Sequence, residues 1–170
     1  LETRDPDLKS KGSGSVVGNG EVVGISVATY NNSWYFPIAH AEGPNMDRKR
    51  TLEWFKDILE CPATKIFHNA MYDVSWIRSL NLNINGLVVD TMIACSLLDK
   101  NRFSYTLNTL SWHFLNEGKN ERALLEAAKQ RGLDAKADMW KLPAQEVGSY
   151  AEKDAELTFK LWQHVKKLMI

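Results

Sequence analysis

Cysteine is nearly absent from this sequence, with Cys61 and Cys95 the only two among 170 residues. That excludes a disulfide-stapled framework and a paired-cysteine metal site, fits a reducing compartment, and leaves both thiols as expected small core residues. Net charge is also lacking, since 21 Lys and Arg balance 21 Asp and Glu. No global basic field draws in a polyanion, so any such binding must rest on local patches or bound cations. No apolar run is long enough to span a bilayer, and the chain opens without the charged and apolar parts of a secretion signal, so a cytoplasmic location and no membrane partner are expected. Internal repeats and low-complexity stretches are missing as well. What is present is 44% hydrophobic and 25% charged, ample material for one core, and a single domain over residues 1–170 is expected.

Strand and helix periodicities alternate along the chain. Leu1 to Thr3 runs into the turn-forming Arg4, Asp5, Pro6 and Asp7, which places Glu2 near the C-terminal end of a strand whose larger part would lie upstream. Residues 9 to 20, with Lys9, Lys11, Gly12, Gly14, Gly18 and Gly20, read as a connector. Residues 22 to 30 and 34 to 39 are β-rich runs around the turn pair Asn31 and Asn32, a hairpin whose second strand Pro37 marks as an edge. Residues 47 to 60 carry Leu52, Phe55 and Leu59 at helical spacing behind Asp47 as a cap, and Pro62 closes that helix. Residues 64 to 68 read as a short buried strand, Asn69 opens a helix running to about Leu80, and residues 87 to 89 form another strand. Asp90 then caps a helix whose apolar content is Met92, Ile93, Ala94, Leu97 and Leu98. Helices are expected over 105–115 and 120–131, then a surface excursion from Lys129 to Lys141, then a long helix after Pro143. The order is that of a layered α/β fold with a mixed sheet.

The last helix holds the residue that most needs explaining. Val147, Tyr150, Leu157, Leu161, Val165 and Leu168 form one core-facing stripe, and Asp154 falls in the middle of it. A carboxylate there is costly to desolvate unless a cation meets it, either a metal ion or a buried Lys or Arg. Tyr150, one turn earlier, shares the same face. Asp73 belongs to a strand-to-helix junction and Glu2 to a strand end, the places where α/β sheets put ligands. His113 and His164 lie on helices without a second ligand at metal spacing, whereas His40 and His68 fall at strand ends near the candidate site, where a supporting or phosphate contact is open to them.

In order, Leu1-Glu2-Thr3, Asn69-Ala70-Met71-Tyr72-Asp73 and Tyr150-Ala151-Glu152-Lys153-Asp154 resemble the three motifs of the DEDD 3′-5′ exonucleases of ribonuclease-H-like fold. Their order and separations match along nearly the whole chain. Tyr150 marks the resemblance as one to the tyrosine subgroup (DEDDy), because the histidine subgroup would have its histidine where Ser149 stands. The stretch from Val147 to Asp154 is most similar to proofreading domains of family A DNA polymerases, particularly phage-like ones, with ribonuclease D relatives next. The resemblance implies a ribonuclease-H-like mixed sheet flanked by helices, its first strand largely missing at the N-terminus, and a domain belonging to a longer polymerase. One departure matters. The family's first motif places an Asp immediately before the position of Leu1, so one principal ligand falls outside this sequence, and a chain extended by that Asp is expected to be far more active.

The chemistry comes with the resemblance. Phosphodiester hydrolysis by two divalent ions needs oxygen ligands, which suit Mg²⁺ or Mn²⁺. Glu2 and Asp154, with the absent Asp, would hold the ion that carries the attacking water, and Asp73 would help place the second near the leaving 3′ oxygen. Tyr150 would orient the water, because a phenol of pKa about 10 is a poor base at neutral pH. Thr3, Asn69 and Tyr72 match positions that contact the terminal nucleotide. The expected partners are a single-stranded DNA 3′ end, the nucleoside monophosphate product and a polymerase domain in the same chain. The rival readings are a ribonuclease D-like exoribonuclease and a catalytically silent nucleic-acid-binding domain.

Overall fold

The computed structural model describes residues 1–169. Strands β1 (Glu2–Arg4), β2 (Glu21–Ala28) and β3 (Ser33–Pro37) form an antiparallel sheet in the order β1-β2-β3. The central strand is the most apolar, with Val22, Val23 and Ile25 fully buried, while Pro37 ends the edge strand as its missing N–H requires. Strands β4 (Lys65–Phe67) and β5 (Val88–Asp90) pair in parallel, with Phe67 opposite Asp90. Both pairing directions of a mixed sheet are therefore present, but as two short sheets. Among the described residues no ladder joins them. Glu2 opens β1, and Arg4, expected in a turn, still pairs with Glu21.

Among the described residues seven α-helices accompany the sheets: α1 (Gly14–Val17), α2 (Arg48–Glu60), α3 (Ala70–Ser79), α4 (Thr91–Leu98), α5 (Leu107–Leu115), α6 (Arg122–Gln130) and α7 (Ala144–Val165). Asp47 caps α2 as its position foretells, accepting from the Arg50 N–H at 2.8 Å. One core, built on Val22, Ile25, Phe55, Leu59, Trp76 and Ile77, joins the antiparallel sheet to α2 and α3. The other two share α7. Its N-terminal half packs Val147 and Ala151 against Leu124, Met139 and Leu142, and its C-terminal half packs Leu157, Leu161 and Val165 against Cys95, Leu107 and Leu110. Each of these Leu side chains contributes about 1.5–3 kcal/mol by leaving water. Tyr150 and Asp154 lie on α7 where one core gives way to the other.

Several expectations about burial need correction. Leu168 lies beyond the end of α7 and is exposed, and Ile93 and Leu97 of α4 face solvent because Ala94 and Cys95 supply that helix's buried side. The stretch from 129 to 141 is not wholly a surface excursion, since Ala135 and Met139 are buried and residues Met139–Lys141 form a 3-10 turn. Cys61 is only partly buried.

Candidate active site

Three separate devices bring the acidic side chains together. At the first, a bulge between Glu2 and Thr3 shifts the register, so that Glu2 lies opposite Gly24 while Thr3 lies opposite Val22. Gly24 is required there, because a Cβ would stand 1.9 Å from the Tyr35 hydroxyl, whose ring crosses the strand. At the second, Asp90 at the end of β5 accepts from Asn69 N (3.1 Å), Ala70 N (2.8 Å) and Met92 N (2.9 Å). One carboxylate thus caps α4, as its sequence position indicates, and also holds the start of α3. Asn69 takes a left-handed conformation (φ 64°, ψ 56°), which turns the chain so that Asp73 falls in the first turn of α3. The third device is α7, which carries Tyr150 and Asp154 one turn apart.

Glu2, Asp73, Tyr150 and Asp154, with Asn69 and Tyr72, line one cavity of about 1310 Å³. Thr3 is not part of its wall. Its hydroxyl lies 2.7 Å from the Tyr72 phenol, which in turn donates to Asp5 at 3.0 Å, so both hydroxyls are already engaged. Asn69 is different, for it is exposed at the cavity and its carboxamide has no hydrogen bond among the described residues.

The cavity is electrostatically tense. Burial pushes the Glu2 carboxyl up to about 7, with the Leu1 ammonium pulling it down and Asp154 pushing it further up. Burial likewise raises Asp154, against the pull of Lys119. The Tyr150 phenol is driven above its ordinary value by burial and then by Asp154 and Glu2. One ammonium group relieves part of this charge: Lys119 donates to Asp154 Oδ2 at 2.6 Å and to the Tyr150 hydroxyl at 3.2 Å. Asp154 Oδ1 is buried with no partner.

Among the described residues no three Asp, Glu, His or Cys side chains stand close enough to hold an ion as they are. One of these carboxylates, Asp154, is already engaged by Lys119. The donor chemistry nonetheless fits a hard divalent cation. It is all oxygen, it is partly buried, one oxygen is orphaned, and positive charge is already recruited to the place.

The chain is similar to known proteins along most of its length. A family model described as 3′-5′ exonuclease, from A-type DNA polymerases, matches residues 7–170. The chain belongs to the 3′-5′ exonuclease domain family of A-type DNA polymerases. It is 32% identical over 170 residues to a DNA-directed DNA polymerase of Pseudomonas phage M6, covering 94% of the chain and 25% of that protein. It is 27% identical over 152 residues to DNA polymerase I of Pseudomonas aeruginosa, covering 84% of the chain and 16% of the relative. The exonuclease domain thus spans a quarter or less of the length of these relatives. A solved structure titled the POL domain of Pol1 from M. smegmatis, in complex with DNA primer-template and dNTP, superposes with TM-score 0.53 over 88% of the chain and 22% of that chain, at 15% identity. That likeness carries the fold, a layered α/β arrangement.

Sequence reasoning about this exonuclease domain missed Lys119, the Tyr35–His40 pair and the double role of Asp90. The stripe on α7 required a cation for Asp154, but nothing in a list of 21 basic residues singles out the one that folds onto it. His68 is tied to Thr91 (2.9 Å) and to the Tyr105 carbonyl (3.0 Å), and His40 to Tyr35 and Leu142, so both are structural ties beside the site. His113 and His164 are exposed on their helices.

Proposed function

We propose that this chain is a metal-dependent 3′-5′ exonuclease that removes nucleotides from the 3′ end of single-stranded DNA, with Glu2, Asp73, Tyr150 and Asp154 as its reactive set. The observation that carries the reading is the convergence of these four residues, from three distant parts of the chain, on one cavity. Its relatives are DNA polymerases of which it spans a quarter or less, which supports a proofreading domain working beside a polymerase domain in a longer cytoplasmic protein.

Glu2, Asp73 and Asp154 would hold Mg²⁺ or Mn²⁺, which when bound supply an activated water and neutralise charge on the phosphate. The chain's own residues do the positioning. Asn69, with its free carboxamide at the cavity, takes the terminal nucleotide, and the Tyr72 ring beside it forms part of the wall while Thr3 braces that ring from behind. The Tyr150 hydroxyl holds the attacking water in line by hydrogen bond. Its phenol is raised by burial and by the carboxylates of Asp154, Glu2 and Glu121, so it keeps its proton at neutral pH and acts as an orienting group. The product is a nucleoside monophosphate.

The test is the hydrolysis rate of a 5′-labelled single-stranded oligonucleotide by Asp154→Ala and Tyr150→Phe, on this chain and on one extended upstream by the family's Asp. Asp154→Ala is expected to abolish cleavage. Tyr150→Phe keeps the ring and removes one transition-state hydrogen bond worth about 2–4 kcal/mol, so the rate is expected to fall on the order of 10²-fold. Full activity in either variant sinks this assignment, and faster cleavage of RNA than of DNA turns it to the ribonuclease D-like reading.

A further inference from the structure

We propose that Lys119 is a built-in counter-cation that competes with the divalent ion for Asp154, so that loading the site requires the lysine to leave. This rests on the metal-dependent reading of the same cavity. The Lys119 ammonium meets the two residues on α7 to which that reading assigns the ion and the water. It lies 2.6 Å from Asp154 Oδ2, 3.2 Å from the Tyr150 hydroxyl and 4.9 Å from the centre of the Tyr150 ring. Its side chain is 12% exposed, so this is no loosely held surface pair.

The loop that carries it is anchored on both sides. The Lys119 N–H donates to Asn108 Oδ1 at 2.9 Å, and Gly118 lies so close to Trp112 that a Cβ would stand 2.1 Å from its indole nitrogen. Glu117 is bound by Lys153 and Lys160 of α7. These contacts aim the lysine at the cavity before any ligand arrives.

The charge count explains why the lysine is a placeholder. One monovalent group faces Asp154 with Glu2 nearby, and it satisfies only one oxygen of Asp154 while Oδ1 stays buried and unpartnered. A divalent ion answers two carboxylates at once, which a single ammonium does not. Two cations on one carboxylate repel each other, so a divalent ion on Asp154 weakens the hold of Lys119 on it. A purely structural ion pair would make a different mark: its loss would lower stability and leave affinity for the ion unchanged, or weaken it through a less ordered carboxylate.

The experiment titrates Mn²⁺ by calorimetry into the chain extended upstream by the family's Asp, as wild type, Lys119→Met, Lys119→Gln and Asp154→Asn, with thermal midpoints recorded in parallel. A second arm measures the rate of chemical acetylation of Lys119 by mass spectrometry with and without Mn²⁺, which needs no substitution. Competition predicts Mn²⁺ affinity on the order of 10-fold tighter in the folded Lys119 variants, a loss in Asp154→Asn, and faster acetylation of Lys119 once Mn²⁺ is bound. Equal or weaker affinity in the Lys119 variants, or acetylation unchanged by Mn²⁺, overturns the proposal while leaving the metal reading in place. Absence of Mn²⁺ binding in every form overturns both.

Discussion

His40 is buried, and both of its ring nitrogens are committed. Nδ1 donates to the Leu142 carbonyl at 3.0 Å, so Nε2 accepts from the Tyr35 hydroxyl, whose ring lies across Gly24 opposite Glu2. The residue ties the exit of β3 to the entry of α7 and holds the backing of the site in one tautomer. Burial keeps its imidazole below the ordinary 6.5, with the Leu142 hydrogen bond pulling the other way. The unfolded chain takes up a proton as pH falls through about 6.5, and the folded chain resists, so this group leaves stability intact above that value and withdraws it below. Urea midpoints should therefore drop more for wild type than for His40→Asn between about pH 7.5 and pH 5.5, because Asn retains the donation to Leu142 and cannot titrate. The variant comparison isolates this slope from those of Glu2 and Asp154, whose raised values run in the opposite sense. Parallel pH profiles would remove His40 from the account.

At the level of elements, the junction of β4 and β5 with α3 and α4 decides where Asp73 points. Asp90 accepts three backbone N–H groups from two helix starts, and a charged acceptor at a helix N-terminus also answers the helix dipole. Asp90→Ala is expected to cost about 1–3 kcal/mol in urea unfolding, within the range for losing such caps. It should also slow oligonucleotide cleavage more than that loss of stability accounts for, because Asn69 and Asp73 lose their frame. An unchanged rate in folded Asp90→Ala protein would mean that α3 keeps its orientation without the tie.

Across the whole molecule, the cavity opens between the sheet core, through Phe55, Leu59 and Tyr72, and the core of the C-terminal half of α7, through Tyr105 and Leu107. Substrate and ions would thus be gripped between blocks that are each well packed, with Lys119 supplied by the loop between α5 and α6. Among the described residues no helix is long and apolar enough to cross a membrane. The cavity's oxygen donors are expected to accept Ca²⁺ as well as Mg²⁺ or Mn²⁺. Ca²⁺ is larger and takes longer, more numerous contacts, so it should support oligonucleotide binding without fast cleavage, whereas Mg²⁺ or Mn²⁺ support both. Binding measured by fluorescence anisotropy beside a cleavage assay checks this, and undiminished cleavage in chelator would exclude metal dependence.

The amino-acid sequence alone determined the order of the longer elements, though it read residues 9 to 20 as a connector where α1 forms, together with the hairpin with its edge strand at Pro37, the caps at Asp47 and Asp90 and, through its resemblance to a known family, the three motifs carrying Glu2, Asp73, Tyr150 and Asp154. These are local matters, set by the period of apolar residues, by turn and cap chemistry, and by spacing along one helix. Only the tertiary structure decided that Lys119 is the cation on Asp154, that Asp90 serves two helices, that Tyr72 and Thr3 spend their hydroxyls on each other and on Asp5, and that the sheet is split in two. Each of these depends on residues from 20 to more than 60 positions apart meeting in space. Such meetings follow from how three cores pack against one another, which no local pattern encodes.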